Sequence, residues 1–330
     1  MSSFGLLCIL SLCGCGLFTN QSFKEYKETK AYLGANVTIR CFFDPQKDIS
    51  LPIKKCWEKM DQIQQEMNAY SETGDLASIN RSGFNGVEVH EEIYRLLKDS
   101  LEFSCLSQGA FDITVFPLVE LWKDAAVKGR LPDKEALEAA KGKVGYQNIR
   151  LQEPNRVFIA KKGMKLDMGA IVSGYACDEI AAILDASGIR NFLIDTGGEI
   201  FCRGMDSGKS PWKIGVQDPM DKDKILMVIK LKDKCISTSG SYEKFYTIEG
   251  VRFSHIIDPV SGYPQKDAIS ATVIAKTGKE ADSLSTILCV LGGKKGIELI
   301  KSLKGVQAMI MESKNGQIFT YKTGKFKQSY

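Results

Sequence analysis

The sequence has no strong excess of charge of one sign and no low-complexity tract. Its 330 residues carry 44 basic and 40 acidic side chains, for a formal net charge of +4. The basic residues form no stripe and are not interleaved with aromatic residues, so we expect no nucleic-acid partner. With 44% hydrophobic and 25% charged residues, the composition is that of an ordinary folded protein, neither disordered nor fibrous.

Thiol metal sites and the common phosphate-binding glycine motifs are also missing. The ten cysteines include no CxxC pair, and most lie in apolar stretches such as TILCVLG, where we interpret them as small buried hydrophobic residues. The glycine-containing turn at 169–174 is not GxGxxG, and residues 292–296 lack the spacing and the hydroxyl residue of a P-loop. Neither a Rossmann fold nor a P-loop enzyme is indicated.

The N-terminal segment has no charged residue before Lys24. An apolar run at 4–12 leads into Leu-Cys-Gly-Cys at 12–15, which resembles a bacterial lipoprotein signal cleaved before Cys15. Such a run is too short to span a bilayer as a mature helix. We therefore predict a signal peptide at 1–14 and a lipidated Cys15 with a solvated tether at 15–30. The protein would then be exported to the periplasmic side and anchored in the inner or outer membrane.

The start of this segment, Met-Ser-Ser, contains no Lys or Arg, so the signal-peptide pattern is incomplete. A cytosolic protein with an apolar N-terminus is the alternative. The rest of the chain, 31–330, shows no repeat and no dividing linker, which predicts one domain.

Helical and strand patterns alternate along that domain. Apolar residues at helical spacing predict helices at 88–107, after Pro132-Asp133, and at 175–187. Runs rich in β-branched or aromatic residues predict strands at 192–195, 212–216, 225–232 and 269–276. Asn315-Gly316 predicts a type I′ hairpin. The fold class is α/β in the broad sense, a mixed α/β or α+β architecture.

Four polar motifs interrupt the apolar segments. The first motif, GAFDITVFPL at 109–118, sets Asp112 among apolar residues, where a carboxylate needs partners or caps a helix. The second, KLDMGAIVSGYACDEI at 165–180, passes through a small-residue turn into a helix, and helix N-termini favour phosphate.

The third motif runs from ISTSGSYEKFY at 236–246 into SHIIDPVSGYP at 254–264. It contains His255, one of two histidines in the chain, which is either a general base or a structural hydrogen-bonding group. We interpret the other histidine, His90, as a surface residue.

The fourth motif, GKEADSLSTILCVLGG at 278–293, places Asp282, Ser285 and Thr286 on one helical face. A carboxylate with hydroxyl groups offers hard oxygen ligands, which suit Mg²⁺. A capping role for Asp282 near the helix start is the alternative.

Together with VGYQNI at 144–149 and DTGGEI at 195–200, these motifs resemble the FAD:protein FMN transferases, the ApbE-type flavin transferases. The resemblance implies a single domain with FAD in a cleft, and His255 as the catalytic histidine. It implies FAD contacts by Leu33, Tyr70, Ala110, Phe111, Asp112, Asp167, Ser173 and Ile256. It implies a Mg²⁺ site formed by Asp282, Ser285, Thr286 and the carbonyl of Ala170.

The activity implied by the resemblance is Mg²⁺-dependent transfer of FMN from FAD to Ser or Thr of acceptor proteins, with a phosphoester bond formed and AMP released. The acceptors would be membrane or exported redox proteins. FAD hydrolysis to FMN and AMP, a non-catalytic flavin-binding lipoprotein, and a structural lipoprotein are the alternatives. Ser173 stands where many members carry Lys, and Leu33 where they carry Met, so FAD affinity and the balance between hydrolysis and transfer stay open.

Overall fold

The computed structural model describes residues 23–241, 244–324 and 326. The predicted signal peptide, Cys15 and the first part of the predicted tether lie outside these residues. The helices are α1 (Ser50–Glu66), α2 (Asp75–Ser82), α3 (Glu91–Leu106), α4 (Phe116–Lys128), α5 (Lys134–Lys141), α6 (Val172–Ala186) and α7 (Gly278–Ser302), with short 3₁₀ turns at Gly83–Asn85 and Tyr146–Asn148.

The strands carry most of the β-branched and aromatic runs seen in the sequence. They are β1 (Lys24–Tyr32), β2 (Ala35–Phe43), β3 (Val87–Glu88), β4 (Ile149–Gln152), β5 (Arg156–Ile159), β6 (Asn191–Asp195), β7 (Glu199–Arg203), β8 (Trp212–Asp218), β9 (Asp221–Leu231), β10 (Lys234–Gly240), β11 (Phe245–Ile248), β12 (Val251–Ser254), β13 (Ala268–Ala275), β14 (Gln307–Lys314) and β15 (Gln317–Lys322).

An eight-stranded sheet forms the centre of the fold, in the order β1-β2-β6-β7-β10-β13-β14-β15. Every neighbouring pair in it is antiparallel. The predicted mixed architecture is therefore confirmed, and within that class it is the α+β form. Three smaller sheets accompany it: β3-β5-β4, β8-β9 and β11-β12.

The two faces of the large sheet are covered differently. Helix α7 packs on β10, β13 and β14, α6 packs on α7, and α1 packs on α6. The opposite face is covered by the β8-β9 hairpin, where Trp212 and Ile229 pack with Phe42 and Ile236 of the sheet. Because side chains alternate between faces along a strand, one sheet supplies both apolar layers.

A third apolar cluster lies beside this sandwich and is centred on Trp122 of α4, which is 1% exposed. The cluster joins α4 and α5 to the β11-β12 hairpin through residues such as Leu137 and Ile248. Since His255 directly follows β12, the cluster fixes the part of the chain that carries the candidate base.

Most of the predicted elements are present. The 88–107, 175–187 and 278–293 patterns correspond to α3, α6 and α7, and Asp133 accepts a hydrogen bond as the N-cap of α5. Helix α7 continues past the predicted end with a break at Gly292 (φ 76°). Asn315 and Gly316 both have positive φ, 53° and 77°, as a type I′ turn requires.

The tether prediction is wrong from Lys24 onward. Strand β1 pairs with β2 along its whole length, from Lys24 opposite Phe43 to Tyr32 opposite Ala35. Its sequence KEYKETKAY is mostly exposed, because β1 is an edge strand and needs no continuous apolar face. Charged side chains of this kind are common on edge strands, where they oppose pairing with other chains.

The cysteine interpretation agrees with the structure. Of the seven cysteines in the described ranges, six are buried and Cys105 is exposed. Among the residues that the structure describes, no helix combines the length and the apolar character needed to cross a membrane.

Candidate functional site

The four polar motifs, which are distant in sequence, meet at one cleft. Its empty volume of about 660 Å³ includes space that is open to solvent. The lining residues are Ala110, Phe111, Asp112, Ile113, Val115, Val119, Asp167, Gly169, Ala170, His255, Ile256, Ile257, Pro259 and Thr286. Each motif therefore contributes at least one predicted site residue to the same cavity.

Asp112 organises the first motif from within the cleft wall. Its Oδ1 accepts hydrogen bonds from the backbone N–H of Thr114 (2.8 Å) and from the Thr114 hydroxyl (2.6 Å), and its Oδ2 accepts from the Tyr146 N–H (2.8 Å). Burial raises the pKa of the Asp112 carboxyl, and these hydrogen bonds oppose the rise. The carboxylate thus joins the first motif to VGYQNI, and its contact with FAD stays a prediction.

Asp167 and Tyr70 mark the side of the cleft formed by the second motif. The Asp167 carboxylate accepts from the Gly169 N–H (2.8 Å), and the Asp167 N–H donates to the Ile113 carbonyl (2.7 Å). Tyr70 is exposed, packs edge-on against Phe116 at 5.1 Å and has the Lys123 ammonium over its ring. Tyr70 is still partly desolvated, and this partial burial, followed by the charge of Asp167, raises its pKa to about 12. Tyr70 is therefore a surface aromatic residue near the cleft rather than part of its lining.

In the part of the chain that the structure describes, His255 forms a hydrogen bond through only one ring nitrogen. Its Nδ1 lies 2.8 Å from the Lys244 carbonyl oxygen, which can only accept, so Nδ1 carries the hydrogen in the neutral ring. Nε2 is then the basic nitrogen. Burial lowers the pKa of His255 below its ordinary value, so the imidazole is neutral at pH 7 and competent as a base.

Asp282 lies buried, 4% exposed, in the first part of α7. Its Oδ2 accepts a hydrogen bond from the Gly174 N–H of α6 at 2.9 Å, and burial raises the pKa of the carboxyl to about 7. Within the described part of the chain, Oδ1 has no hydrogen-bond donor. A buried carboxylate with a free oxygen and no cationic partner is unfavourable without a further ligand.

The hydroxyls beside Asp282 form a network that sequence reasoning did not include in the site. Ser239 Oγ lies 2.6 Å from Ser285 Oγ and 3.4 Å from Thr286 Oγ1, and Ser237 Oγ lies 3.2 Å from Ser285 Oγ. The Ser237 hydroxyl also donates to the buried Glu199 carboxylate at 3.2 Å. Ser237 and Ser239 lie in the ISTSG segment of the third motif. They are two residues apart, and this strand-like alternation is the sequence signal that could have placed both hydroxyls on one face.

The donor set fits a hard cation. A Mg²⁺ ion would be held by the Asp282 carboxylate, the Thr286 hydroxyl and the Ala170 carbonyl, since oxygen ligands are what this ion prefers. Ala170 and Thr286 line the same cleft. The Ser285 hydroxyl is within hydrogen-bonding distance of the Ser237 and Ser239 hydroxyls, and Ser285, unlike Thr286, does not line the cleft.

Besides Tyr70, two of the predicted FAD-contacting residues do not line the cleft. Leu33 occupies the β1-β2 turn, and its N–H donates to Gln64 Oε1 at 3.1 Å. Ser173 lies in the first turn of α6, where its carbonyl accepts from the Thr196 hydroxyl at 3.1 Å. Their proposed contacts with FAD gain no support from this geometry.

A separate group of possible ligands, Glu66, Asp75 and His90, has its ligand atoms within 4.8 Å of one another. Glu66 accepts from the Asp75 N–H at 2.9 Å, and Asp75 accepts from the His90 N–H at 2.7 Å and lies 2.9 Å from its Nδ1. These contacts cap α2 and α3, which accounts for the group. The interpretation of His90 as a surface residue is confirmed, since its side chain is 62% exposed.

Comparison with known proteins extends over almost the whole chain. The sequence model of the ApbE family matches residues 33–310. A protein of Treponema pallidum named FAD:protein FMN transferase is 31% identical over 325 residues, covering 93% of this chain and 89% of its own length. A protein of Escherichia coli K12 with the same name is 33% identical over 283 residues, covering 83% and 80%.

Solved structures give the same result. The ApbE protein of Thermotoga maritima superposes with a TM-score of 0.82 at 32% identity, covering 93% of this chain and all of its own (100%). The flavin transferase ApbE of Vibrio cholerae gives a TM-score of 0.83 at 25% identity, with 92% and 98% covered.

Proposed function

The chain belongs to the ApbE family, and from this premise we propose that it is a Mg²⁺-dependent FAD:protein FMN transferase. The observation that carries the proposal is the convergence of Asp112, Asp167, His255 and Thr286, from four separate motifs, on one cleft. FAD is the substrate, and a Ser or Thr hydroxyl of another protein is the acceptor. The relatives named FAD:protein FMN transferase support the same activity.

The reaction replaces the phosphoanhydride bond between the FMN and AMP halves of FAD with a phosphoester bond between FMN and the acceptor. The acceptor oxygen forms a bond to the FMN phosphorus while the bridging P–O bond of the pyrophosphate breaks, and the bridging oxygen leaves with the bonding electron pair as part of AMP. The acceptor hydroxyl loses its proton. The products are the FMN-modified protein and AMP.

His255 receives that proton. Its Nε2 is the basic nitrogen because Nδ1–H is engaged with the Lys244 carbonyl, and its lowered pKa keeps it unprotonated at neutral pH. General-base catalysis of this kind contributes about 10²- to 10⁴-fold. The carbonyl contact also fixes the plane of the ring, so the base is oriented before the acceptor arrives.

Asp282, Thr286 and the Ala170 carbonyl would hold the metal, and Ala170 and Thr286 line the same cleft as His255. When bound, Mg²⁺ supplies charge neutralisation for a pyrophosphate that otherwise repels nucleophiles. Asp282 provides the negative charge of this site. The Ser239 hydroxyl contacts both the Ser285 hydroxyl and the Thr286 hydroxyl.

We also propose that the protein works outside the cytoplasm, anchored through Cys15. The Leu-Cys-Gly-Cys junction after an apolar run supports this localisation. Two or three acyl chains on Cys15 would give stable anchoring, whereas a single chain gives marginal binding. Acceptors would then be exported or membrane-bound redox proteins.

The test is mass spectrometry of a co-expressed acceptor protein after incubation with FAD and Mg²⁺, with AMP measured in the same samples. An FMN adduct on Ser or Thr, equimolar with AMP, is the expected result. AMP and free FMN without an adduct would identify a FAD pyrophosphatase. Retention of intact FAD without AMP would identify a flavin-binding protein.

A further inference from the structure

Helices α6 and α7 touch through their backbones at one point. A Cβ atom on Gly174 would lie 2.2 Å from the Gly278 carbonyl oxygen, and one on Gly278 would lie 2.1 Å from the Gly174 carbonyl oxygen. Real Cβ atoms do not approach that closely, so only glycine fits at both positions. The first turns of the two helices are therefore in contact.

Each helix caps the other at this crossing. The Gly174 N–H of α6 donates to Asp282 Oδ2 of α7 at 2.9 Å. In return, the Gly278 and Lys279 N–H groups of α7 donate to Asp178 Oδ1 and Oδ2 of α6, at 2.6 and 3.1 Å. Carboxylates at helix N-termini satisfy unpaired N–H groups and interact favourably with the helix dipole. Here the two caps also lock the helices to each other.

The exchange of caps brings two carboxylates close together. The Asp282 and Asp178 carboxylates are both held at this crossing by backbone N–H groups of the other helix. The nearest lysine side chain along α7, Lys279, is paired with Asp99 on α3. In the part of the chain that the structure describes, the ion pair of Lys279 is therefore with Asp99, and backbone N–H groups hold the two carboxylates of the crossing.

We propose that Asp178 is a positioning residue for the cation site at Asp282. Both of its oxygens hold the start of α7, and Asp282 follows Gly278 by about one helical turn, so Asp178 determines where the Asp282 carboxylate stands. The negative charge of Asp178 also attracts a cation, although Asp178 is not itself a ligand. Groups that orient metal ligands in this way typically contribute 10- to 100-fold to metal affinity. The inference rests on the proposed function, because the cation at Asp282 is part of it.

The chain offers a matched control at the same helix end. Thr277 is the N-cap of α7, and its hydroxyl accepts from the Glu280 N–H at 3.3 Å. Thr277→Ala removes a cap from α7 but leaves the contact with α6 and both carboxylates in place. Asp178→Asn keeps the side-chain shape and one acceptor, and it loses the second acceptor and the charge.

The experiment is calorimetric titration of Mg²⁺ into the metal-free full-length chain for wild type, Asp178→Asn and Thr277→Ala, with unfolding midpoints measured in EDTA. We expect the Mg²⁺ Kd to rise at least about tenfold in Asp178→Asn and to stay within about twofold of wild type in Thr277→Ala, although both caps stabilise α7. Equal Mg²⁺ affinity in Asp178→Asn and wild type, or equal weakening in both variants, would overturn the positioning role alone. Absence of Mg²⁺ binding by wild type would overturn this inference together with the metal dependence of the proposed function.

Discussion

Individual residues of the cleft acquire their chemistry from the contacts around them. Asp112 and Asp282 are both buried carboxylates with raised pKa values. Both oxygens of Asp112 accept hydrogen bonds, from Thr114 and Tyr146. In contrast, Oδ1 of Asp282 has no hydrogen-bond donor in the described part of the chain. The first therefore stabilises a loop, and the second is available to a cation. The sequence showed two acidic residues in apolar motifs, and only the tertiary contacts separate their roles.

The base role of His255 predicts a specific pH dependence. Burial lowers the pKa of His255, so the protonated, inactive form accumulates only below the ordinary histidine value of about 6.5. With Mg²⁺ saturating, so that the bound metal keeps the Asp282 carboxylate ionised, turnover should be constant above that pH and fall as the pH drops through the lowered pKa of His255. His255→Ala should lose about 10²- to 10⁴-fold in kcat with FAD binding retained. AMP release measured from pH 5 to 8 checks both; a variant with wild-type rates would make His255 a structural residue.

At the scale of elements, the position of His255 depends on packing around α4. The Trp122 ring lies 5.4 Å from Phe253 and 5.8 Å from Tyr263, and its Nε1–H donates to the Gly262 carbonyl at 2.8 Å. These contacts bracket the 254–262 segment on both sides of the histidine.

Replacing Trp122 with Phe should lower kcat severalfold, because the segment that carries His255 loses its anchor to α4. The lost hydrogen bond should also cost about 1 kcal/mol in stability. Trp57→Phe is the matched control: its Nε1–H donates to Glu28 at 2.7 Å, away from the cleft lining, so it should cost stability and leave kcat unchanged. Steady-state kinetics and urea denaturation of both variants provide the comparison. Equal kcat losses would show a general effect of destabilisation.

The α6–α7 crossing makes a second prediction at this scale. Gly174→Ala would place a methyl group against the Gly278 backbone, and overpacking of this kind costs about 1–3 kcal/mol. Gly142→Ala, at the end of α5, meets nothing closer than 3.4 Å and should be neutral within about 0.5 kcal/mol. Urea unfolding of the two variants distinguishes them; wild-type stability in Gly174→Ala would mean that the helices separate without cost.

Helices and strands with strong apolar periodicity could be predicted because their signal is local. Helix α3 is an example, and the Asn315-Gly316 turn was predicted from an equally local signal, its dipeptide. Strand β1 could not be found in this way, since an edge strand with exposed Lys and Glu side chains has the composition of a tether. The caps at the crossing join residues 100 and 108 positions apart, and no local pattern encodes such a pairing.

The molecule as a whole assembles its site from segments between residues 110 and 286. Motif order allowed the cleft to be predicted through a family resemblance. The residues themselves left a structural alternative open at the first, third and fourth motifs. The resemblance also predicted cleft contacts for Leu33 and Ser173. Both lie outside the cleft lining: Leu33 is in the β1-β2 turn, where its N–H donates to Gln64, and Ser173 is in the first turn of α6, where its carbonyl accepts from Thr196.

The proposed anchoring through Cys15 concerns the whole molecule and predicts its distribution in the cell. Wild type should sediment with membranes and carry an acylated N-terminus, whereas Cys15→Ala should lose the acyl chains and move to the soluble fraction. Cell fractionation combined with intact-mass spectrometry measures both. Unchanged membrane association of Cys15→Ala would refute the anchor.

The central claim, metal-dependent FMN transfer at the cleft, is tested most directly by titrating Mg²⁺ against AMP release and acceptor modification. Asp282→Ala removes the one carboxylate of the proposed metal site, so it should need far more Mg²⁺ and lose kcat, because the metal acts on charge that grows in the transition state. Thr286→Ala should lose less, since water can replace a neutral ligand. Wild-type activity that survives EDTA, or a normal Mg²⁺ dependence in Asp282→Ala, would contradict the account.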